Sequence, residues 1–216
     1  MFAQNILLVG GVGGGGNSII STQTFDLSTV PTTQAYPANY SVGAKLVLAV
    51  SSRTDGGVNS WSFSDALGNT WTRVLEQTQS NGLTVSGIFT CTVTNEITTS
   101  DLITIGTTGD RSEDFVAAFY QLSSNTVEDS GSYQDTGPAV IALTHPAGAV
   151  VVMAHGAGLG ANIDISSTTL DIDVDNDGPR SNGWLLSKET VVSNLSAEVT
   201  DGATSNRQAV AVAFYG

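Results

Sequence analysis

Four short segments constrain most of what this chain can fold into: residues 45–50 (KLVLAV), 115–120 (FVAAFY), 149–154 (AVVVMA) and 209–215 (AVAVAFY). Each is apolar almost throughout, rich in β-branched or aromatic residues, and shorter than a helix that could bury a stable face. A strand with one solvated face alternates apolar and polar residues. These do not, so they are expected at the centres of sheets covered on both sides. Around them Gly, Asn, Asp, Ser and Pro punctuate the chain roughly every ten residues, the spacing of a sandwich or jelly roll. Strands are predicted near 19–27, 45–51, 59–64, 70–78, 83–93, 101–107, 114–122, 126–133, 148–155, 162–171, 183–189, 195–201 and 207–215.

Composition supports an all-β, two-sheet antiparallel β-sandwich or jelly roll. Of 216 residues, 24 are Ser, 26 Thr and 24 Gly, whereas only 12% are charged. That mixture lacks the Glu, Lys, Leu and Arg that favour helices and is rich in residues suited to a pleated surface. The net charge is −13, with seven basic residues in all, including only Lys45 and Lys188 as lysines. Such a surface repels phosphates, so neither nucleic acid nor an anionic membrane is an expected partner. Cys91 is the only cysteine, which excludes intrachain disulfides and CxxC chemistry. No apolar run reaches a membrane span, and no basic residues precede the first apolar stretch, so neither an anchor nor an ordinary secretory signal is expected.

The start of the chain is unlike the rest. Residues 1–10 (MFAQNILLVG) are apolar and 11–18 (GVGGGGNS) are almost all glycine. Residues 1–17 are therefore expected to be an extended N-terminal arm on a glycine hinge, with Phe2, Ile6, Leu7, Leu8 and Val9 as its partner-binding residues. The single β-sandwich domain is expected over 18–216. Within it a weak repeat shows: 102–120 resembles 195–215, 45–51 echoes 149–154, and Asn81-Gly82-Leu83 echoes Asn182-Gly183-Trp184. Two similar halves, about 36–133 and 140–216, would close one core.

Motifs with chemical content are few. Gly11 to Gly16 satisfies G-x-G-x-x-G, but no helix can follow in STQTFDLSTVP, and Asn17 stands where a phosphate-binding lysine is needed, so nucleotide binding is not expected. Asp173-Val174-Asp175-Asn176-Asp177-Gly178 matches the opening of a calcium loop, making Asp173, Asp175 and Asp177 the candidate metal ligands. With Asp171 these acids would line one strand face. The twelfth position is Trp184 rather than a bidentate Glu, and a solvated acidic strand is the simpler reading. His145 and His155 flank one strand about 33 Å apart if extended, too far to share a metal or a proton, and read as turn or edge residues. Trp61 and Trp71, with Tyr36, Tyr40 and Tyr133, are the candidates for stacking on a glycan, although strand aromatics more often fill a core. No nucleophile motif and no diagnostic carboxylate pair points to an enzyme.

Residues 65–72, Asp-Ala-Leu-Gly-Asn-Thr-Trp-Thr, sit between a short strand and a longer one. This D-x-x-G-N-x-W-T pattern resembles a signature of β-sandwich domains in bacterial surface proteins and in virion proteins of tailed phages, and the likeness extends over about 36–216. The resemblance implies a structural loop with no catalytic residue. Together with the arm, it implies a capsid decoration or cement protein on the capsid exterior. Its expected partners are the major capsid protein and copies of itself, most simply as a trimer. No cofactor is required by this reading; calcium and a glycan are the two ligands left open. The alternative is a tail fibre, tail accessory or adhesin subunit that binds a host glycan or receptor.

Overall fold

The computed structural model describes residues 16–30, 32–54, 60–79, 84–107, 112–135, 139–157, 171–175, 183–190, 193–199 and 207–216. The arm residues Phe2, Ile6, Leu7, Leu8 and Val9, and Asp177, lie outside them. In chain order the strands are β1 (Ile19–Val30), β2 (Thr32–Ala35), β3 (Lys45–Thr54), β4 (Trp61–Asp65), β5 (Thr72–Thr78), β6 (Thr84–Thr92), β7 (Leu102–Thr107) and β8 (Ser112–Leu122). They continue with β9 (Val127–Asp135), β10 (Ala139–Ala142), β11 (Val150–Ala157), β12 (Asp171–Asp175), β13 (Gly183–Glu189), β14 (Ser196–Val199) and β15 (Arg207–Phe214). The fold is all-β. Among the described residues no helix is long and apolar enough to cross a membrane.

Two five-stranded antiparallel sheets form the middle of the molecule, ordered β1-β8-β3-β6-β5 and β12-β13-β11-β15-β9. Smaller sheets, β2-β7-β4 and β10-β14, cover their outer faces. Three apolar cores separate the four layers. The first, between β2-β7-β4 and its large sheet, holds Leu46, Leu48, Val50, Phe115 and Phe119. The second, between the large sheets, takes the alternate residues Val47, Ala49, Val116 and Ala118 and sets them against Val150, Val152, Val210 and Val212. The third packs Val151, Met153, Ala209 and Ala211 on Ile141 and Ala197. Both faces of β3, β8, β11 and β15 are thus buried, which is why their sequences do not alternate.

The strand order repeats. Read from β1, the first large sheet runs β1-β8-β3-β6-β5; read from β9, the second runs β9-β15-β11-β13-β12. In each half the ladder folds inward from its ends. β1 pairs β8, β2 pairs β7 and β3 pairs β6; then β9 pairs β15, β10 pairs β14 and β11 pairs β13. This inward pairing is that of a jelly roll, and it divides the chain between β8 and β9. Local details repeat as well. Gly43 (φ 90°) and Gly148 (φ 87°) make the turns into β3 and β11. Gly43 N–H donates to Val93 O and Val93 N–H to Ala44 O; Gly148 N–H donates to Thr190 O and Thr190 N–H to Ala149 O. A left-handed turn residue is needed at both places, and glycine takes that conformation at little cost.

The two short strands β2 and β10 are additions to the sequence expectation. The strand predicted near 162–171 is described only as Asp171–Asp175, its earlier residues lying outside the described ones. A bulge in β12 separates Ile172, paired with Leu186, from Val174, paired with Leu185. The inserted residue is Asp173.

Candidate functional site

The D-x-x-G-N-x-W-T loop is the most heavily bonded polar feature of the first half. It leaves β4 at Asp65, turns through Gly68 (φ 82°) and enters β5 after Trp71. Asp65 Oδ1 accepts from Asn69 N–H at 3.0 Å; Asp65 Oδ2 accepts from Asn69 Nδ2 at 3.0 Å and from Tyr36 Oη at 2.8 Å. Asn69, 5% exposed, reaches across to the loop after β6. Its Oδ1 accepts Thr94 N–H at 2.9 Å and Asn95 N–H at 3.0 Å, while its Nδ2 donates to Asn95 O at 3.0 Å. Asn95 Nδ2 returns a bond to Leu67 O. Three connections, those before β3, β5 and β7, are thereby tied together.

The aromatics complete the knot. Trp71 Nε1 donates to Tyr36 Oη at 3.3 Å, and its ring stands edge-on to Phe119 at 5.7 Å. Tyr36 is buried, and burial followed by the neighbouring Asp65 raises its phenol well above the ordinary tyrosine range. Burial alone does the same for Tyr40. Both phenols are therefore held neutral, and that of Tyr36 serves as a hydrogen-bonding group rather than a base. The polar atoms of Asp65, Asn69 and Trp71 serve loop-to-loop bonds, so what the motif does is fix loop geometry.

Trp61, one of the two glycan candidates, belongs to the first core. It is 4% exposed, and its ring meets Phe115 with centroids 5.0 Å apart. Its faces are not available to a sugar. Trp71 is half-buried and packed against the same core, as are the buried Tyr36 and Tyr40; Tyr133 packs against the third core. These five aromatics do not form one exposed platform. Glu76 of β5, invisible as a site in sequence, accepts Trp61 N–H at 2.9 Å and faces Arg73, whose Nη1 also donates to Ser60. This side-chain bridge joins β5 to the start of β4.

His145 and His155 are both buried. His145 does lie in a turn: Nε2 accepts Leu195 N–H at 3.0 Å, so Nδ1 carries the proton and donates to Pro146 O at 2.9 Å. His155 instead sits in the central strand β11, between β13 and β15, which corrects the expectation of an edge position. Among the described residues no three His, Cys, Asp or Glu side chains are grouped to hold a metal ion. Asp173 and Asp175 lie within the extended β12 rather than a turn, and Asp177 is outside the described residues.

Residues 16–19, where the sequence places the join between arm and sandwich, are the set that sequence reasoning missed. The arm was expected to extend through Asn17, yet Asn17 is buried and fastened at the junction of the two halves. Its N–H donates to Gly148 O at 2.7 Å, its Nδ2 to Ser124 O at 2.7 Å, and its Oδ1 accepts Ser124 N–H at 2.8 Å. Ile19 N–H donates to Glu189 Oε1 at 2.8 Å. Gly16 fits closely: a Cβ there would stand 3.0 Å from the Gly148 backbone. The only hint in the sequence is that Asn17-Ser18-Ile19 before β1 matches Asn125-Thr126-Val127 before β9. No family model, no curated protein and no solved structure matches the chain.

Proposed function

We propose that the chain is a structural virion protein of a tailed phage: a decoration protein that binds the major capsid lattice from outside and stabilises it. The observation that carries this reading is the fastened arm root. The apolar sequence 1–10 and the glycine run after it lead into Asn17, which is fastened at the junction of two sandwiches packed together through the second core. Such a body would transmit force between capsomers once the arm docks, and Phe2, Ile6, Leu7, Leu8 and Val9 would supply the apolar contact. The jelly-roll architecture, common in capsid and lectin domains, and the D-x-x-G-N-x-W-T resemblance support the reading at the level of fold. A surface rich in Ser and Thr, with net charge −13, suits a component that must not bind DNA or aggregate.

The test is occupancy on purified capsids, measured by co-sedimentation and electron microscopy, for the full chain and for a chain lacking residues 1–15. The deletion leaves Asn17 in place, so the body keeps its fastening. Saturable binding by the full chain and its loss on deletion is the expected result. Undiminished binding of the shortened chain overturns the arm's role, and no binding by either overturns the decoration role.

A further inference from the structure

At one end of the first sandwich three buried polar atoms have no hydrogen-bond partner among the described residues: Ser52 Oγ, Trp61 Nε1 and Thr107 Oγ1. Their ladder positions place all three on walls of the first core. Ser52 lies opposite Phe115 in the β3–β8 ladder, in phase with Leu46, Leu48 and Val50, and so points into the first core. Trp61 meets the same Phe115 from the opposing sheet. Thr107 is the cross-strand partner of Trp61, in phase with the buried Ile103 and Ile105. Three walls of the sandwich, β3, β4 and β7, therefore each present to the first core one polar group without a partner among the described residues, two of them beside Phe115 and the third beside Trp61.

Folded proteins rarely leave such groups unpaired; they bond them to protein or to ordered water. We propose that Ser52 Oγ, Trp61 Nε1 and Thr107 Oγ1 bind one ordered water molecule that ties β3, β4 and β7 together. The donor set selects this ligand. An indole N–H only donates, whereas each hydroxyl donates or accepts, so the bound group must accept from Trp61 and can donate to Ser52 or Thr107. A cation would face the positive end of the indole N–H. An anion would be stranded among Phe115, Val85 and Ile105 without a countercharge. Water meets all three atoms with the two to four bonds typical of an internal site.

Hydroxyl deletion separates the alternatives by sign. A buried hydroxyl without a partner is a liability, and removing it raises Tm; a hydroxyl that holds a water is an asset, and removing it lowers Tm. Ser52→Ala and Thr107→Val are each expected to lower Tm, with the double variant losing less than the two single losses added together. Oxygen-17 relaxation dispersion of solvent water should show one fewer long-lived internal water in Ser52→Ala than in the parent. A high-resolution crystal structure of the parent should show a peak within hydrogen-bond distance of all three atoms. A raised Tm in both single variants, an unchanged count of long-lived waters, or no peak at this position overturns the proposal. None of these readouts depends on the role of the protein in a virion.

Discussion

On the rung where Leu48 of β3 lies between Phe89 and Phe119, its counterpart Met153 of β11 lies between Leu186 and Ala211. The same substitution of small for large runs through the two outer cores. The first is built around Tyr36, Tyr40, Trp61, Phe63, Phe89, Phe115 and Phe119. The third is built around Ile141, Leu143, Met153 and four alanines, Ala197, Ala209, Ala211 and Ala213. Interiors must be filled to similar density whatever their residues, so the small core must bring its covering sheet closer. Gly131 permits this: it pairs with Ala211, and a Cβ there would stand only 2.5 Å from Ile141 Cγ2. One strand order thus accommodates two packing solutions, large rings on one side and close backbone approach on the other. The loops differ in the same sense. The first half ties three connections through Asp65 and Asn69, whereas the described loops of the second rest on the shorter clip of His145, Asn194 and Leu195.

The largest effect is expected from converting the first solution towards the second. Phe119→Ala places on the Leu48 rung the residue found on the Met153 rung, but without the close approach that makes alanine sufficient there. Phe119 is fully buried and holds Tyr36 and Trp71 edge-on. A loss of about 3–5 kcal/mol in urea unfolding is expected, the range for a buried aromatic truncated to alanine. A loss below about 1 kcal/mol would mean that the covering sheet collapses onto the space and that the two packings interconvert.

The converse change is Gly131→Ala. The added methyl must displace Ile141 or the backbone of β9, and overpacking of this kind costs about 1–3 kcal/mol. Its counterpart in the first half by ladder position, Gln23 opposite Phe119, already carries a long side chain. A neutral Gly131→Ala in thermal unfolding would show that the small sheet β10-β14 is free to lift, and the comparison would lose its physical basis.

How much of this was legible beforehand follows from where the signals act. The runs 45–50, 115–120, 149–154 and 209–215 were readable as central strands because burial on both faces removes alternation from the sequence itself. β2 and β10 were not, because four residues directly after Pro31 and Pro138 are too few to display a period. The turn at Asp65, Gly68 and Asn69 was readable as a turn from local chemistry. That Asn69 spends its oxygen on Thr94 and Asn95 was not, since those acceptor needs arise 25 and 26 residues away, only after β5 and β6 have formed. The burial of Trp61 and the fastening of Asn17 are hidden for the same reason: each is a product of topology, not of neighbouring residues.

Asn69 offers a test of the loop half of the comparison. Asn69→Ala leaves two backbone N–H groups, of Thr94 and Asn95, without their acceptor and takes from Asp65 Oδ2 one of its two donors, Tyr36 Oη remaining, which is expected to cost about 1–3 kcal/mol. Asn69→Asp keeps the acceptor but replaces the amide donor with a carboxylate facing Asp65 Oδ2. It should therefore recover stability on acidification more than Asn69→Ala does. Hydrogen exchange should speed up at Thr94 and Asn95 in Asn69→Ala while Leu195 and Gly148 in the second half keep their rates. Equal acceleration in both halves would show that the knot acts globally rather than on its own loops.

The smallest expected effect appears only in alkaline solution and again separates the halves. Burial, assisted by the Asp65 charge, pushes the Cys91 thiol up from about 9.0 to about 11. Cys91 pairs with Leu46, and at the equivalent rung of the second half Lys188 pairs with Val151, so the thiol has no counterpart there. Between these two values the unfolded chain gives up its thiol proton while the folded chain retains it, so the folded state binds more protons and stability falls as pH rises. The contribution is fully present below about pH 9 and is lost on passing through about 11. Tyr36 and Tyr40, also raised by burial, steepen the decline at the upper end. Cys91→Ala should flatten the fall between pH 9 and 11 without abolishing it, as read from urea midpoints at each pH. Hydrogen exchange at pH 10 should then find the first half opening before the second; simultaneous opening would mean that the apolar layer shared by Val47, Ala49, Val150 and Val152 couples the two sandwiches into one cooperative body, whatever their separate cores contribute.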